Sequence, residues 1–332
     1  MEKVVLGLSG GVDSAVAARL LMQNGYQVHG LYMDIGTQEA RQDAVDTAAF
    51  LGVELKIADI SARLEEHVCR PFLEAYLKGE TPNPCIMCNP AVKFKTLIDY
   101  ADEIGAAWVA TGHYARIIDG ALCKGLPAND QSYMLCRLKR DQVRRLVLPL
   151  GGYEKQQVRA LAEEFGIPVA HKPDSMEICF IPDNDYIGWI RSRSTFPGPG
   201  ELVFHGQVIG RHEGIYRYTV GQRWPGLLNE RKVYVSEIHP RENRVVLALW
   251  EELFQTEVHA REMNWLIEPP DRPLRATVRV RHTKWENPPC TVTPTPEGGA
   301  VIICDEPVRA PARGQSAVLY DGERVIGGGF IE

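Results

Sequence analysis

The stretch "VVLGLSGGVDSAVAARLL" (4–21) decides the fold of the first half of the chain. Its apolar run "VVLGL" predicts a short, fully buried strand, and apolar residues recur at helical spacing over 13–24, with Gly25 as a stop. A strand, a glycine turn and a helix aim backbone N–H groups and the positive end of a helix dipole at an anion. The stretch therefore predicts a phosphate site, although a plain Gly-Gly turn is also common before helices.

The turn itself carries the residue types that a phosphate loop needs. Ser9, Gly10 and Gly11 would let the backbone approach a phosphate closely, and Asp13 or Ser14 would cap the helix. The patterns G-x-x-x-x-G-K-[ST] and G-x-G-x-x-G are both absent, which excludes a P-loop and a dinucleotide fingerprint. The six residues "SGGVDS" resemble the pyrophosphate loop of the ATP-pyrophosphatase superfamily. That resemblance implies cleavage of ATP to AMP and pyrophosphate while a substrate is adenylated.

Working outward, short apolar runs alternate with helical patterns through the first half of the chain. The predicted strands are "VVLGL" (4–8), "VHGLYM" (28–33), "ELKIADI" (54–60) and "WVATGHY" (108–114), and the predicted helices lie near 13–24, 38–51, 61–78, 91–104 and 154–165. This alternation predicts an α/β fold with a doubly wound parallel sheet. Ligands of such sheets bind at the carboxyl ends of the strands, where the glycine loop, Met33 and "TGH" (111–113) would lie.

The sequence pattern changes after about residue 190. The Pro/Gly-rich segment "STFPGPGELV" (194–203) indicates a boundary, and period-2 stretches separated by turns dominate from about 252 onward. We predict three domains: 1–188 with the parallel sheet, a small central domain at 189–251, and a β-barrel or sandwich at 252–332.

Composition limits the classes of protein that remain. The 332 residues, 45% hydrophobic and 24% charged, are typical of a soluble globular protein, and we expect no membrane partner and a cytoplasmic location. The net charge of −6 argues weakly against nucleic acid. Two local basic clusters argue for nucleic acid instead: "RLKRDQVRR" (137–145) and "RATVRVRHTKW" (275–285). Each is either a solvated face or a phosphate-binding surface.

The eight cysteines are expected to be thiols, ligands or nucleophiles rather than a disulfide framework. In "GETPNPCIMCNPAVKFKTL" (79–97), the prolines around Cys85 and Cys88 predict an extended, rigid loop rather than a helix. This pair could be a reactive thiol pair, part of a cluster site, or without a special role. Cys179, in "KPDSMEICFIP" (172–182), could be a small buried hydrophobe or a catalyst. The remaining five are interpreted as packing residues: Cys69, Cys123, Cys136, Cys290 and Cys304.

Seven motifs taken together give a specific resemblance. In chain order they are "SGGVDS" (9–14), "TPNPCIMCN" (81–89), "ATGHYAR" (110–116), "NDQSYML" (129–135), "DSMEICFI" (174–181), "YTVGQR" (218–223) and "GQSAVLYDGERVIGGGFI" (314–331). The joint pattern is similar to that of the tRNA-specific 2-thiouridylase family (the MnmA type) and runs from residue 4 to residue 331. It implies ATP-dependent replacement of the C2 oxygen of the anticodon wobble uridine by sulfur. It also implies a pyrophosphate-loop domain, a small central domain and a C-terminal β-barrel.

The resemblance implies roles for individual residues. Cys88 would be the nucleophile and Cys179 the persulfide carrier, with a Cys88–Cys179 disulfide as one outcome and attack of Cys88 on the uridine ring as another. Asp13 is the candidate for organising Mg²⁺. ATP would be bound by Gly7, Leu8, Ser9, Gly10, Gly11, Val12, Asp13, Ser14, Met33 and Gly112. The tRNA would be contacted by Asn83, Pro84, Cys85, His113, Asn129, Asp130, Gln131, Arg281, His282 and Gln315, and both basic clusters would bind its phosphates. A persulfide donor such as a cysteine desulfurase or a relay protein is the second implied partner.

The chain departs from the commonest family pattern at two places. Many members carry Asp three residues before the nucleophile, where this chain has Cys85, and the loop "DIGTQEARQD" (34–43) is short. Cys85, Cys88 and Cys179 could then ligate a [4Fe–4S] cluster with one iron open to hydrosulfide. There are two rival hypotheses: the chain is another pyrophosphate-loop synthetase, or it is a tRNA-binding protein without catalysis. Neither would need reactive cysteines at 88 and 179.

Overall fold

A computed structural model describes most of the chain and divides it into two compact units. The described residues are 1–173, 178–181, 183–228, 230–282 and 287–332. The first unit comprises Met1–Val68, Cys85–Met176 and Glu323–Ile326, and the second comprises Cys69–Pro84, Glu177–Gly322 and Gly327–Glu332.

The strands and helices predicted for the first half of the chain are present in the predicted order, with two differences among others at their ends. The predicted helix at 61–78 is divided into Ser61–Leu64 and Arg70–Leu77 by a π-helical turn at Glu65–Cys69, and the predicted strand at 108–114 ends at Ala110. The helices are α1 (Val12–Gln23), α2 (Gln38–Leu51), α3 (Ser61–Leu64), α4 (Arg70–Leu77), α5 (Pro84–Cys88), α6 (Phe94–Glu103), α7 (Arg140–Arg144), α8 (Lys155–Glu164) and α9 (Tyr186–Arg193). The strands are β1 (Lys3–Gly7), β2 (Gln27–Asp34), β3 (Glu54–Asp59), β4 (Trp108–Ala110), β5 (Ala115–Ile118), β6 (Ala121–Lys124), β7 (Leu146–Val147), β8 (Gly200–Phe204), β9 (Gln207–His212), β10 (Arg223–Leu228), β11 (Arg231–His239), β12 (Arg244–Leu249), β13 (Phe254–Trp265), β14 (Leu274–Arg279), β15 (Pro289–Pro294), β16 (Ala300–Arg309), β17 (Ser316–Asp321) and β18 (Arg324–Ile331).

The first unit is built on a parallel sheet, as predicted. Its strand order is β3-β2-β1-β4-β7, and β1 pairs in parallel with both β2 and β4. The central strand is buried because its apolar residues pack against α1, whose own apolar face includes Val16 and Leu21. The carboxyl ends of β1, β2 and β4 therefore meet at one edge of the sheet.

The region around Cys85 and Cys88 differs from its prediction. Instead of an extended loop, Pro84–Cys88 forms a helical turn that continues through a π-helical turn at Asn89–Lys93 into α6. The prediction was wrong because proline is well tolerated in the first turn of a helix, where its missing N–H has no partner to lose. Two cysteines three residues apart on such a turn lie on the same face.

The second unit contains two β structures. The strands of the central one are ordered β10-β11-β12-β8-β9, with β8 and β12 parallel and the other neighbours antiparallel. The other is a closed antiparallel barrel in the order β13-β16-β15-β14-β17-β18, closed by pairing of β13 with β18. The predicted fold class is confirmed, whereas the predicted boundaries at 188/189 and 251/252 stay a prediction.

Five cysteines serve as packing residues, as interpreted. All five are buried, and Cys290 and Cys304 face each other as direct cross-strand partners in the barrel. Burial raises the pKa of Cys290 to about 12 and that of Cys304 to about 11, so both stay protonated thiols. Among the described residues, no helix combines the length and the apolar character needed to cross a membrane.

Candidate functional site

The glycine loop follows β1 and fits tightly against the middle of α2, at Asp43 and Ala44. Gly10 has φ +77°, and a Cβ there would lie 2.6 Å from the backbone nitrogen of Ala44. Both facts require glycine, since L side chains rarely adopt this φ and the neighbour is backbone. The loop is thereby held in one shape before any ligand arrives.

The start of α1 differs from the predicted cap. Gly11 is the N-cap residue, and neither Asp13 nor Ser14 caps the helix with its side chain. Instead, the Ser14 hydroxyl donates to the carbonyl of Gly11 (2.9 Å) and accepts from the backbone N–H of Ser9 (3.2 Å). The hydroxyl thus braces the turn from within, and the first turn of α1 keeps the geometry of an anion site.

The structure brings several predicted ATP residues to this edge of the sheet. A Cβ on Gly7 would lie 3.5 Å from Cε of Met33, and a Cβ on Gly112 would lie 3.1 Å from Asp13. Leu8 and Val12 are buried in the core, so only their backbone could face a nucleotide. The convergence of three strand ends is the arrangement expected for a nucleotide pocket.

Asp13 has two partners that the sequence did not indicate. Nζ of Lys155, at the start of α8, lies 2.7 and 2.8 Å from the two carboxylate oxygens, and the Tyr114 hydroxyl donates to Oδ1 (2.7 Å). This carboxylate is already neutralised by an ammonium group. It does not fit the predicted role of Mg²⁺ ligand while that ion pair is present.

His113 is partly buried beside the same strand end. Its Nδ1 lies 2.7 Å from the Thr111 hydroxyl, and its ring stacks on Phe94 with centroids 6.0 Å apart. Desolvation, with a smaller contribution from Lys93, lowers the pKa of His113 well below 6.5. The imidazole is therefore neutral at neutral pH and can hydrogen-bond a base without carrying charge.

This pKa makes the free energy of unfolding depend on pH. Below pH 6.5 the unfolded chain binds a proton that the folded protein does not, so stability present above pH 6.5 is lost as the pH falls. We expect a slope of up to about 1.4 kcal/mol per pH unit from this group. Urea unfolding of the wild type and of His113→Gln over this pH range measures it. Equal slopes in the two proteins would contradict the assignment.

The three candidate cysteines are divided between the two units. Cys85 is exposed and Cys88 partly exposed on the α5 turn of the first unit, whereas Cys179 is exposed in the second unit. The motif residues 174–177 and Pro182 beside it lie outside the described residues. Across the part of the chain that the structure describes, no three His, Cys, Asp or Glu side chains are arranged to hold a metal ion.

The predicted tRNA residues at 129–131 are engaged within the first unit. The buried Asp130 carboxylate accepts from the N–H of Gly125 (2.8 Å) and from the N–H and hydroxyl of Ser132 (both 3.0 Å). Oε1 of Gln131 accepts from the N–H of Tyr114 (3.0 Å). As a direct tRNA ligand the Asp130 side chain is a poor candidate, because its oxygens shape the turn that carries Asn129 and Gln131.

The basic cluster at 275–285 is also largely engaged. Arg275 forms an ion pair with Asp305 (2.9 Å), and Arg281 donates to the carbonyls of Ala310 (3.0 Å) and Val220. Lys284 lies outside the described residues, and His282 is exposed. In the cluster at 137–145, Arg145 is held by Asp102 (2.6 Å). These three arginines therefore contact groups of the protein itself, and the phosphate-binding interpretation of both clusters stays a prediction.

Family models match three successive stretches of the chain. Residues 2–183 match the family described as "tRNA methyl transferase HUP domain". Residues 194–248 match "tRNA methyl transferase PRC-barrel domain", and residues 255–331 match "Aminomethyltransferase beta-barrel domain".

Curated relatives match over the full length. A "tRNA-specific 2-thiouridylase MnmA" of Syntrophotalea carbinolica is 40% identical, covering 99% of this chain and 98% of the relative. A protein named "tRNA-specific 2-thiouridylase MnmA 2" of Thermoanaerobacter sp. is also 40% identical, covering 100% and 98%. A "tRNA-specific 2-thiouridylase MnmA" of Clostridioides difficile is 38% identical, covering 100% of this chain and 98% of the relative.

Proposed function

The chain belongs to the tRNA-specific 2-thiouridylase family, and on that premise we propose how its residues carry out ATP-dependent 2-thiolation of tRNA. The enzyme is a tRNA sulfurtransferase whose substrates are a tRNA, ATP and sulfur. The observation that carries the proposal is the glycine loop. It combines a positive-φ Gly10 locked against α2 with the start of α1, at the edge where three parallel strands end. We take the substrate position to be the wobble uridine of the anticodon.

ATP activates a poor leaving group in the first step. The C2 oxygen of the uridine attacks the α-phosphorus, pyrophosphate departs, and the base carries an O-linked AMP. Backbone N–H groups around Gly10 and Gly11 would hold the departing pyrophosphate, because the helix terminus favours negative charge there. The neutral His113 would hydrogen-bond the base at the same strand end.

Sulfur enters in the second step. The Cys88 thiolate attacks the Cys179 sulfur of the persulfide Cys179–S–SH, which forms a Cys88–Cys179 disulfide and releases hydrosulfide. Hydrosulfide adds at C2, AMP leaves, and 2-thiouridine remains. An external thiol reductant then reduces the disulfide. In the alternative route, Cys88 attacks the uridine ring directly. That route has a different intermediate but gives the same product, 2-thiouridine.

Two further predictions concern the magnesium ion that would accompany ATP and the iron–sulfur cluster that the cysteines could ligate. Mg²⁺ would accompany the phosphates of ATP as part of the substrate, since Asp13 is paired with Lys155. Cys85 and Cys88 share a helical face and could form half of an iron–sulfur site, but no third ligand joins them among the described residues. We derive no step through a cluster. A persulfide-donating protein as partner, and the cytoplasm as location, stay predictions.

The function is tested with the whole protein. Iron is removed with a chelator under argon, and the protein is incubated with unmodified tRNA, ATP, Mg²⁺ and a persulfide-generating donor. We expect 2-thiouridine in the digested tRNA by mass spectrometry, together with AMP and pyrophosphate. A methylated uridine instead would favour the methyl transferase description of the family models, and no product even after cluster reconstitution would refute the proposal.

Lys155 is expected to affect ATP binding through Asp13. In Lys155→Met the Asp13 carboxylate loses its cation beside the phosphate loop and would repel the phosphates. We expect ATP to bind about tenfold more weakly, roughly 1.4 kcal/mol. Calorimetric titration with a non-hydrolysable ATP analogue measures this. Lys155→Arg, which keeps the charge, is the control, and the double variant with Asp13→Asn should recover part of the affinity. Unchanged affinity in Lys155→Met would contradict the expectation.

A further inference from the structure

A short segment of the second unit, Gly79–Thr81, is held by residues of the C-terminal barrel. We call it the strap. The backbone N–H of Thr81 donates to the carbonyl of Arg313 (2.7 Å), and the carbonyl of Thr81 accepts from Nε2 of Gln315 (2.7 Å). Both backbone groups of one residue are therefore bound by a single turn of the barrel. The turn can approach this closely because Gly314, at φ +84°, has no side chain, and a Cβ there would lie 2.9 Å from Cβ of Glu80.

An ion pair reinforces the strap. The Glu80 carboxylate is largely buried, with 13% of its side chain exposed, and both its oxygens lie 3.3 Å from Nη2 of Arg261 on β13. The Arg261 guanidinium also lies over the ring of Phe330, 5.4 Å from its centroid. A buried carboxylate that loses such a partner is strongly destabilised, so this pair fixes Glu80 more firmly than a surface pair would.

The other side of the strap faces the central sheet of the same unit. Gly79 has φ +70°, and a Cβ there would lie 3.1 Å from side-chain atoms of both Ile238 and Pro240. The strap is thus confined from two directions, by β11 and its turn on one side and by the barrel on the other. Confinement of this kind removes backbone freedom before a ligand binds.

The strap leads directly into the residues that the proposed function assigns to the target base. Two residues separate Thr81 from Pro84, the first residue of α5, which carries Cys85 and Cys88. Resting on that proposed function, we propose that Gln315 and Arg261 are positioning residues that hold the strap, and through it residues 82–84, in place for the target base. Gln315 then acts on the reaction through Thr81. Binding of an RNA near the barrel would be coupled to the base-binding segment by this turn.

The test compares variants that release the strap with one that does not. Gln315→Met removes the donor to Thr81 at nearly constant length, and Arg261→Met removes the cation beside Glu80. The matched control is His259→Gln, two residues before Arg261 on the same strand, which breaks an exposed pair with Glu257 (2.7 Å). Three quantities are measured in the full-length protein: hydrogen exchange of peptides covering 79–84, the Kd for unmodified tRNA, and the single-turnover rate of 2-thiouridine formation.

We expect at least tenfold faster exchange over 79–84 and about tenfold slower thiolation in both strap variants, with the Kd of Arg261→Met for tRNA within twofold of the wild type. His259→Gln should match the wild type in all three. Unchanged exchange with weaker tRNA binding in Gln315→Met would overturn the proposal and make Gln315 a direct tRNA ligand. Faster exchange with unchanged thiolation would also overturn it. A wild-type protein without thiolation would instead refute the proposed function, whereas the exchange data would still show whether the two side chains hold the strap.

Discussion

Cys88→Ala and Cys179→Ala should each reduce 2-thiouridine formation at least a thousandfold while leaving adenylation of the tRNA intact. The proposed chemistry requires a sulfur that accepts a persulfide and a thiolate that releases it, and an alanine side chain supplies neither function. Both side chains are accessible to a donor or substrate, since Cys179 is exposed and Cys88 partly exposed. The measurement is a single-turnover assay that counts pyrophosphate and 2-thiouridine separately. In the variants, pyrophosphate should still form once per tRNA, AMP should stay on the base, and sulfur should not be incorporated.

Cys85→Ala separates the persulfide route from the iron–sulfur alternative. Cys85 is one helical turn before Cys88 and is exposed, so its removal disturbs little packing. In the persulfide route the variant keeps most of the activity, within about tenfold, because Cys85 neither carries nor releases sulfur. In a cluster route it would lose a ligand and be as inactive as Cys88→Ala. Cys123→Ala, a buried thiol of the same unit, controls for the loss of any cysteine.

The sheet and the barrel were predictable because their signals are local and periodic. "VVLGL" before glycines and the period-2 stretches after 252 each depend on neighbours within a few residues, and the structure places strands at both. The Cys85–Cys88 turn was wrongly predicted from a signal that is equally local. Proline flanks both extended loops and helix starts, and only the continuation into α6 distinguishes them.

The site was predictable as a set of positions and not as a set of contacts. Gly10, Met33 and Gly112 could be expected together because strand ends of a parallel sheet meet. The ion pair of Asp13 with Lys155, 142 residues apart, has no counterpart in spacing or periodicity. The same holds for Glu80 with Arg261, 181 residues apart. Such pairs are fixed by packing between elements, which a single sequence does not reveal.

Gly10→Ala is the backbone change from which we expect the largest loss. An added Cβ would lie 2.6 Å from the backbone of α2, and the residue would have to keep a φ of +77°. The left-handed conformation costs about 1–2 kcal/mol and overpacking about 1–3 kcal/mol. The loop relieves the clash by moving away from α2, which turns its N–H groups from the phosphate position. We expect ATP-dependent AMP formation to fall at least a hundredfold, measured at saturating tRNA.

Two glycine variants identify the cause of that loss. Gly25→Ala has the same conformational penalty, at φ +82°, but its Cβ would have no neighbour within 4 Å. It should lose about 1 kcal/mol of unfolding free energy and keep normal AMP formation. Gly11 has an ordinary backbone conformation, and an added Cβ would have the Ser9 hydroxyl oxygen as its nearest neighbour, at 3.5 Å. Gly11→Ala should therefore fold normally. It should bind ATP more weakly only if the phosphates approach the Cα of Gly11. If Gly10→Ala and Gly25→Ala formed AMP equally well, the fit of the loop against α2 would have no part in ATP binding. A loss confined to Gly10→Ala and Gly11→Ala is the result expected of a loop that binds phosphate through its backbone.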